Sequence, residues 1–188
     1  HTRYISVTGV QTCALPISKV PQLPGGQKRA HFLCRLAEIC RDKLKDPRGA
    51  LAHLRAALDQ GYVDETGFQF LVEELSREKD FVALARCYET RIEQAPVAER
   101  RRLMVELLAL PNVLSDPKRD HIAVQAYVLD TTSDKVLQQR FRFYQSLDDI
   151  DGIERLLQTV VSESSLTQYQ KTIWTKFAVE VLEGCVDE

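Results

Sequence analysis

The chain has 188 residues, 44% of them hydrophobic and 28% charged, with a formal net charge of −2 at pH 7. That balance reads as a soluble, globular chain. It lacks the basic excess by which general nucleic-acid binders hold phosphates, and no apolar run approaches the ~18 residues that a membrane-spanning helix requires.

Residues 1–18, HTRYISVTGVQTCALPIS, show no helical or strand period and contain no acidic side chain. Val7 to Ile17 follow, codon for codon, one frame of a common short-read sequencing-library adapter. His1 to Arg3 match the end of the adapter's outer arm, and Tyr4 to Ser6 span the length of a sample barcode. The segment therefore resembles translated adapter and is expected to be non-native and disordered. On that basis His1 and Cys13 belong to no site, and the natural N-terminus is missing.

Lys19 to Gln27 (KVPQLPGGQ) is rich in Pro and Gly and is expected to be a linker. Residues 28–188 are expected to form one helical repeat domain, truncated from a longer array. Phe32, Leu33, Leu36, Ile39, Cys40 and Leu44 recur at helical spacing and predict a first helix. Asp46 suits the N-cap of a second helix and Pro47 its first turn. That helix carries Ala50, Leu51, Leu54, Ala57 and Leu58 and stops at Gly61, a C-terminal cap signal. Phe68, Leu71, Val72 and Leu75 predict the third helix. After the turn Lys79-Asp80-Phe81, Leu84, Ala85, Tyr88 and Ile92 predict the fourth, closed by Pro96. A third pair is expected over Glu99–Leu110 and Asp116–Leu129, a fourth over Ser133–Leu147 and Asp149–Val161, and a final helix over Leu166–Leu182. No segment alternates with period two between turn signals, so no strand is expected.

The turn aspartates Asp46, Asp80, Asp116 and Asp149 lie 34, 36 and 33 residues apart. Two helices per unit at a spacing of about 34 residues resemble the tetratricopeptide repeat family. Leu36-Ala37 are similar to the family's large-small pair on the first helix of a unit. Ala50, Leu54 and Ala57 are similar to the small-large-small pattern on the second. Leu71, Asp80, Phe81, Tyr88 and Pro96 occupy the matching places in the next unit. Val72, Leu84 and Arg91 depart from the pattern, and the first unit has one extra turn residue. Beyond residue 97 only the period and the hairpin layout persist, so Sel1-like, pentatricopeptide and HEAT repeats stay open.

The resemblance implies an all-α, right-handed α-solenoid of about four helix-turn-helix hairpins plus a final helix. It implies a non-catalytic scaffold or adaptor whose concave groove holds a peptide or protein. The groove residues by matching position are His31, Cys34, Glu38, Arg41 and Asp42 in the first unit, and Thr66, Gln69, Glu73, Ser76 and Arg77 in the second. Glu38 and Glu73 stand where a carboxylate-clamping groove would need an amide, which favours a basic or mixed-charge peptide. Two alternatives are an accessory repeat domain of a larger enzyme or regulatory protein, and a nucleic-acid-binding helical repeat.

Other clusters have plainer readings. A transition-metal site needs three or four convergent ligands, and of the groove residues only His31 and Cys34 are strong ones, so no metal or cofactor is expected. Cys34, Cys40, Cys87 and Cys185 contain no CxxC pair, which favours a reducing, cytoplasmic compartment. Arg100, Arg101 and Arg102 are consecutive and fan around a helix instead of forming one face; Lys28 and Arg29 form the other small basic cluster. Asp148, Asp149 and Asp151 lack the ligand spacing of an EF-hand and suit a helix N-terminus. Phe141, Phe143, Tyr144, Trp174 and Phe177 are expected in the core. His53 and His121 each stand alone. No Ser-His-Asp order, phosphate loop or HExxH motif points to an enzyme.

Overall fold

The structure, a computed structural model, describes residues 26–186. The adapter-like segment and residues 19–25 of the expected linker lie outside the described residues. Within them the protein is all-helical, with nine helices and no strand. These are α1 (Gln27–Asp42), α2 (Pro47–Asp59), α3 (Glu65–Glu78), α4 (Phe81–Gln94), α5 (Val97–Leu108), α6 (Asp116–Leu129), α7 (Lys135–Gln145), α8 (Ile150–Ser162) and α9 (Gln168–Val186). No helix of the described residues is long and apolar enough to cross a membrane.

Helix starts follow a local rule. Asp46 accepts a hydrogen bond from the Gly49 N–H at 2.9 Å, Asp64 from Gly67 at 2.8 Å, Asp80 from Ala83 at 3.1 Å and Asp149 from Gly152 at 2.9 Å. Each bond satisfies one of the N–H groups that a helix N-terminus leaves without an intrahelical acceptor. Asp116 differs from the other turn aspartates. Ser115 holds the cap position of α6 without a side-chain bond, and the half-exposed Asp116 carboxylate accepts from Arg140 of α7 instead. Helix ends are equally local. Gly61 follows α2 at φ 75° and Lys79 caps α3 at φ 57°.

The chain divides after Lys79 into two compact units. In the first, α1 packs on α2, and α3 lies across both. Its core holds Leu33, Leu36 and Cys40 of α1, Leu54 and Leu58 of α2, and Phe68, Leu71 and Leu75 of α3. Two of the larger side chains of α1 face outward. Phe32 and Ile39 are 37% and 48% exposed, as is Leu44 in the turn that follows at 46%, while Ala30, Cys34 and Ala37 are buried. The reason is close approach: small side chains line the contact, answered by Ala50 and Ala57 on α2, which are also buried.

In the second unit α4 packs on α5 and α5 on α6. Helices α6, α7 and α8 contact one another, and α9 lies across α7 and α8. Their core contains Val124, Tyr127, Leu137, Phe141, Ile153, Leu156 and Trp174. Trp174 stacks on Phe141 with ring centroids 5.8 Å apart and meets Tyr127 edge-on at 5.3 Å. Phe177 sits edge-on to both Phe141 and Trp174. Phe143 does not join this cluster; it is 44% exposed.

Candidate functional site

Among the described residues, polar side chains gather on shaped surfaces in several places. One lies between α1 and α3. Of the predicted groove residues, His31, Asp42, Thr66, Gln69, Glu73, Ser76 and Arg77 are exposed, and Glu38 and Arg41 are half-buried. Cys34 is buried at 1% exposure, and burial pushes its thiol up to about 11. A thiol so held is neutral and unreactive near pH 7.

Cys34, Glu38, Arg41 and Thr66 meet around one crevice between the helices, together with Asp64 and Phe70. The void measures about 10 Å³, room for about one water molecule. The charges on the face are neutralised locally. Arg35 pairs with Glu38 at 2.7 Å, Arg41 with Asp42 at 2.8 Å, and Arg77 with Glu74 at 2.8 Å and Glu73 at 3.3 Å. The Arg41 hydrogen bond holds the Asp42 carboxyl below the usual carboxylate range. His31 stacks obliquely on Tyr62, with ring centroids 4.1 Å apart.

Another place is in the unit after Lys79, and sequence reasoning missed it. Asp120 recurs with Ala123, Val124 and Tyr127 along the buried face of α6. Arg140 recurs with Leu137, Phe141 and Tyr144 along that of α7. Asp120 and Tyr144 have no exposed surface. Arg140 Nε donates to Asp120 Oδ1 at 2.9 Å, and its Nη2 donates to Asp116 Oδ1 at 2.8 Å and to the Tyr144 hydroxyl. Arg155 of α8 donates to Asp120 Oδ2 at 3.3 Å and to the Tyr144 hydroxyl at 2.9 Å. The Tyr144 hydroxyl in turn lies 3.0 Å from both Asp120 oxygens. It donates its one proton there and accepts from both guanidiniums, so its hydrogen-bonding capacity is used in full. Burial pushes the Tyr144 phenol up to about 12, and it stays protonated. Two rings flank the Arg140 guanidinium, Tyr144 at 4.5 Å and Phe143 at 4.9 Å to the centroids. The signal in the sequence is an acid and a base at core positions of neighbouring helices.

An open cleft of about 590 Å³ borders this node. One wall is the 109–115 connection, and the other carries Val136, Gln139, Arg140 and Phe143 of α7. Asn112 turns the connection at φ 48°. Arg119 fixes it in place, donating from Nε to the Leu114 carbonyl, from Nη1 to Leu108 and from Nη2 to Leu110 at 2.8–3.3 Å.

The remaining sequence candidates find separate places. Arg100 bonds the Ala95 carbonyl, Arg101 faces Asp130 at 3.7 Å and Arg102 faces Glu106 at 3.8 Å. Their three charges point to three partners. Asp149 caps α8, while Asp148 turns the chain before it at φ 52°. His53 is buried and His121 exposed. Among the described residues no three His, Cys, Asp or Glu side chains gather as a metal site would require. The chain matches no family model, no curated protein and no solved structure.

Proposed function

We propose that the protein is a non-catalytic helical-repeat scaffold of tetratricopeptide type, a right-handed stack of helical hairpins that holds a peptide or protein partner. One recurring packing relation supports this reading: the helix that follows a hairpin lies across both of its helices. Helix α3 does so on α1 and α2, and α9 does so on α7 and α8. A single hairpin leaves one apolar face bare, and stacking of this kind spreads one core along the chain. The face of α1 and α3 suits a macromolecule better than a small ligand, because its crevice of about 10 Å³ admits no more than water. Its charges are mixed and paired within each helix, so fit and rim polarity set partner choice more than net charge.

The test is to pan the whole chain against a library of displayed peptides and measure the recovered sequences by fluorescence anisotropy. Glu73→Lys and Arg77→Glu, made singly on the exposed face of α3, are expected to weaken recovered peptides by about tenfold, equivalent to about 1.4 kcal/mol. Failure to recover any peptide would sink the scaffold reading. Binding unchanged in both variants would remove this face as the groove.

A further inference from the structure

We propose that the cleft beside the 109–115 connection binds a peptide segment that sets a carboxylate next to a large apolar side chain. It would be one contact site of the scaffold proposed above, on which it rests, and it is separate from the α1–α3 face. Three observations on the cleft point to that ligand chemistry.

Its size comes first. About 590 Å³ of open space lies between the connection and α7, within the range of about 300–1,000 Å³ found for ligand clefts. The Arg119 bonds to the end of α5 and to two points of the connection hold that wall in shape without a ligand, so little ordering cost falls on binding.

Its charge comes second. Arg119 and Arg140 line the cleft with one carboxylate, Asp116, an excess of one positive charge, and behind the wall Arg140 and Arg155 share Asp120. The donors are also in excess. A guanidinium carries five N–H groups, and Arg119 spends three of them on carbonyls. Arg140 bonds through Nε and Nη2, and its Nη1 has no protein acceptor among the described residues. Arg140 is only 9% exposed and lines the cleft. The Leu108, Leu110 and Leu114 carbonyls on the facing wall already accept from Arg119. The donors left over on Arg119 and Arg140 outnumber the cleft's one carboxylate, Asp116, which Arg140 already engages, and a carboxylate ligand fits the planar guanidinium fork best.

Its apolar wall comes third. Phe143 stands 44% exposed and lines the cleft together with Val136, Leu110 and Leu114. An aromatic ring held against a fixed guanidinium is the kind of anchor that large apolar side chains use at interfaces.

The test uses the full chain and three short labelled peptides: one with adjacent Phe and Glu, a twin with Gln for Glu, and one with Phe and Lys. The Glu peptide is expected to bind most tightly and to weaken as salt is raised. Gln139 is exposed at the cleft, so Gln139→Glu is expected to weaken the Glu peptide by about threefold to fivefold and Gln139→Lys to strengthen it by as much. Phe143→Ser is expected to weaken it by about tenfold. The unfolding midpoints of all three variants, read by circular dichroism, should match the parent. Equal binding of the Gln twin overturns the proposal, as does a Glu peptide indifferent to both Gln139 variants. If Glu73→Lys abolishes binding of the Glu peptide and Gln139→Glu leaves it intact, the site lies on α1–α3: this proposal fails and the scaffold reading stands. If none of these peptides binds while panning still yields others, the cleft proposal again fails alone; if panning also yields none, both fail.

Discussion

Replacing Asp120 with Asn keeps the side chain's shape and removes its charge. Two guanidiniums and a phenol proton then face a neutral amide at a position with no exposed surface. Breaking one side of a buried ion pair costs about 3–5 kcal/mol. Two features reduce that figure. Arg140 keeps Asp116 as a partner, and the Arg155 side chain is 36% exposed, so water takes up part of its loss. The expected loss is about 2–4 kcal/mol. Urea unfolding can be followed by the fluorescence of Trp174, the chain's single tryptophan, which sits in the same core. A loss below about 0.5 kcal/mol, the range of ordinary surface substitutions, would refute the network. So would additivity: Asp120→Asn combined with Arg140→Met should cost less than the two singles together. Agreement within about 0.3–0.5 kcal/mol would mean that the residues act independently.

Three further outcomes follow from the geometry. Burial lowers the pKa of His53 from 6.5, against a smaller opposing pull from Asp46. A depressed base stabilises the fold above its unfolded value and loses that contribution as pH falls through the folded one. Stability should therefore decline below pH 6.5 in the parent and decline less in His53→Gln; identical profiles would contradict the burial effect. Gly152→Ala should destabilise by about 1–3 kcal/mol, because a Cβ there would lie 2.4 Å from Tyr144 Cδ1 and 2.5 Å from Asp149 Oδ2. In an open helix the same change would stabilise, so a raised melting temperature would deny the close contact. Burial holds the thiols of Cys34 and Cys87 up at about 11 and 12. Iodoacetamide at neutral pH should reach half-buried Cys185 well before either, as mass spectrometry of the folded chain would show.

Helix positions were legible because their ends are written locally. Asp46 with Pro47, Asp80 and Asp149 mark starts, and Gly61 marks a stop; each needs only its own few neighbours. What periodicity does not carry is which helix meets which. Phe32 and Ile39 are apolar positions of α1 left exposed, while Ala30, Cys34 and Ala37 are buried with Leu33 and Leu36 where α2 comes close. Cys34, assigned to the groove by its matching position, is buried. Asp116 keeps the repeat spacing but gives its carboxylate to Arg140, a residue of another helix. The Asp120–Arg140 node was hidden similarly: each residue breaks an apolar stripe, and only the partner across the interface explains the break. The division after Lys79 leaves no mark on a period that runs through it.

Helical segments usually open locally at modest cost, starting from an end. The Asp120 node changes that for α6, α7 and α8. If α8 peels away, Asp120 and Tyr144 lose Arg155; if α7 does, Asp120 loses Arg140 and the tyrosine together. Loss of α6 or α7 would strand a charge in the core, and loss of α8 would take away one of the two guanidiniums on Asp120. Their amides should exchange with solvent as one block, more slowly than those of α4 and α5, making this stretch the last of its unit to open.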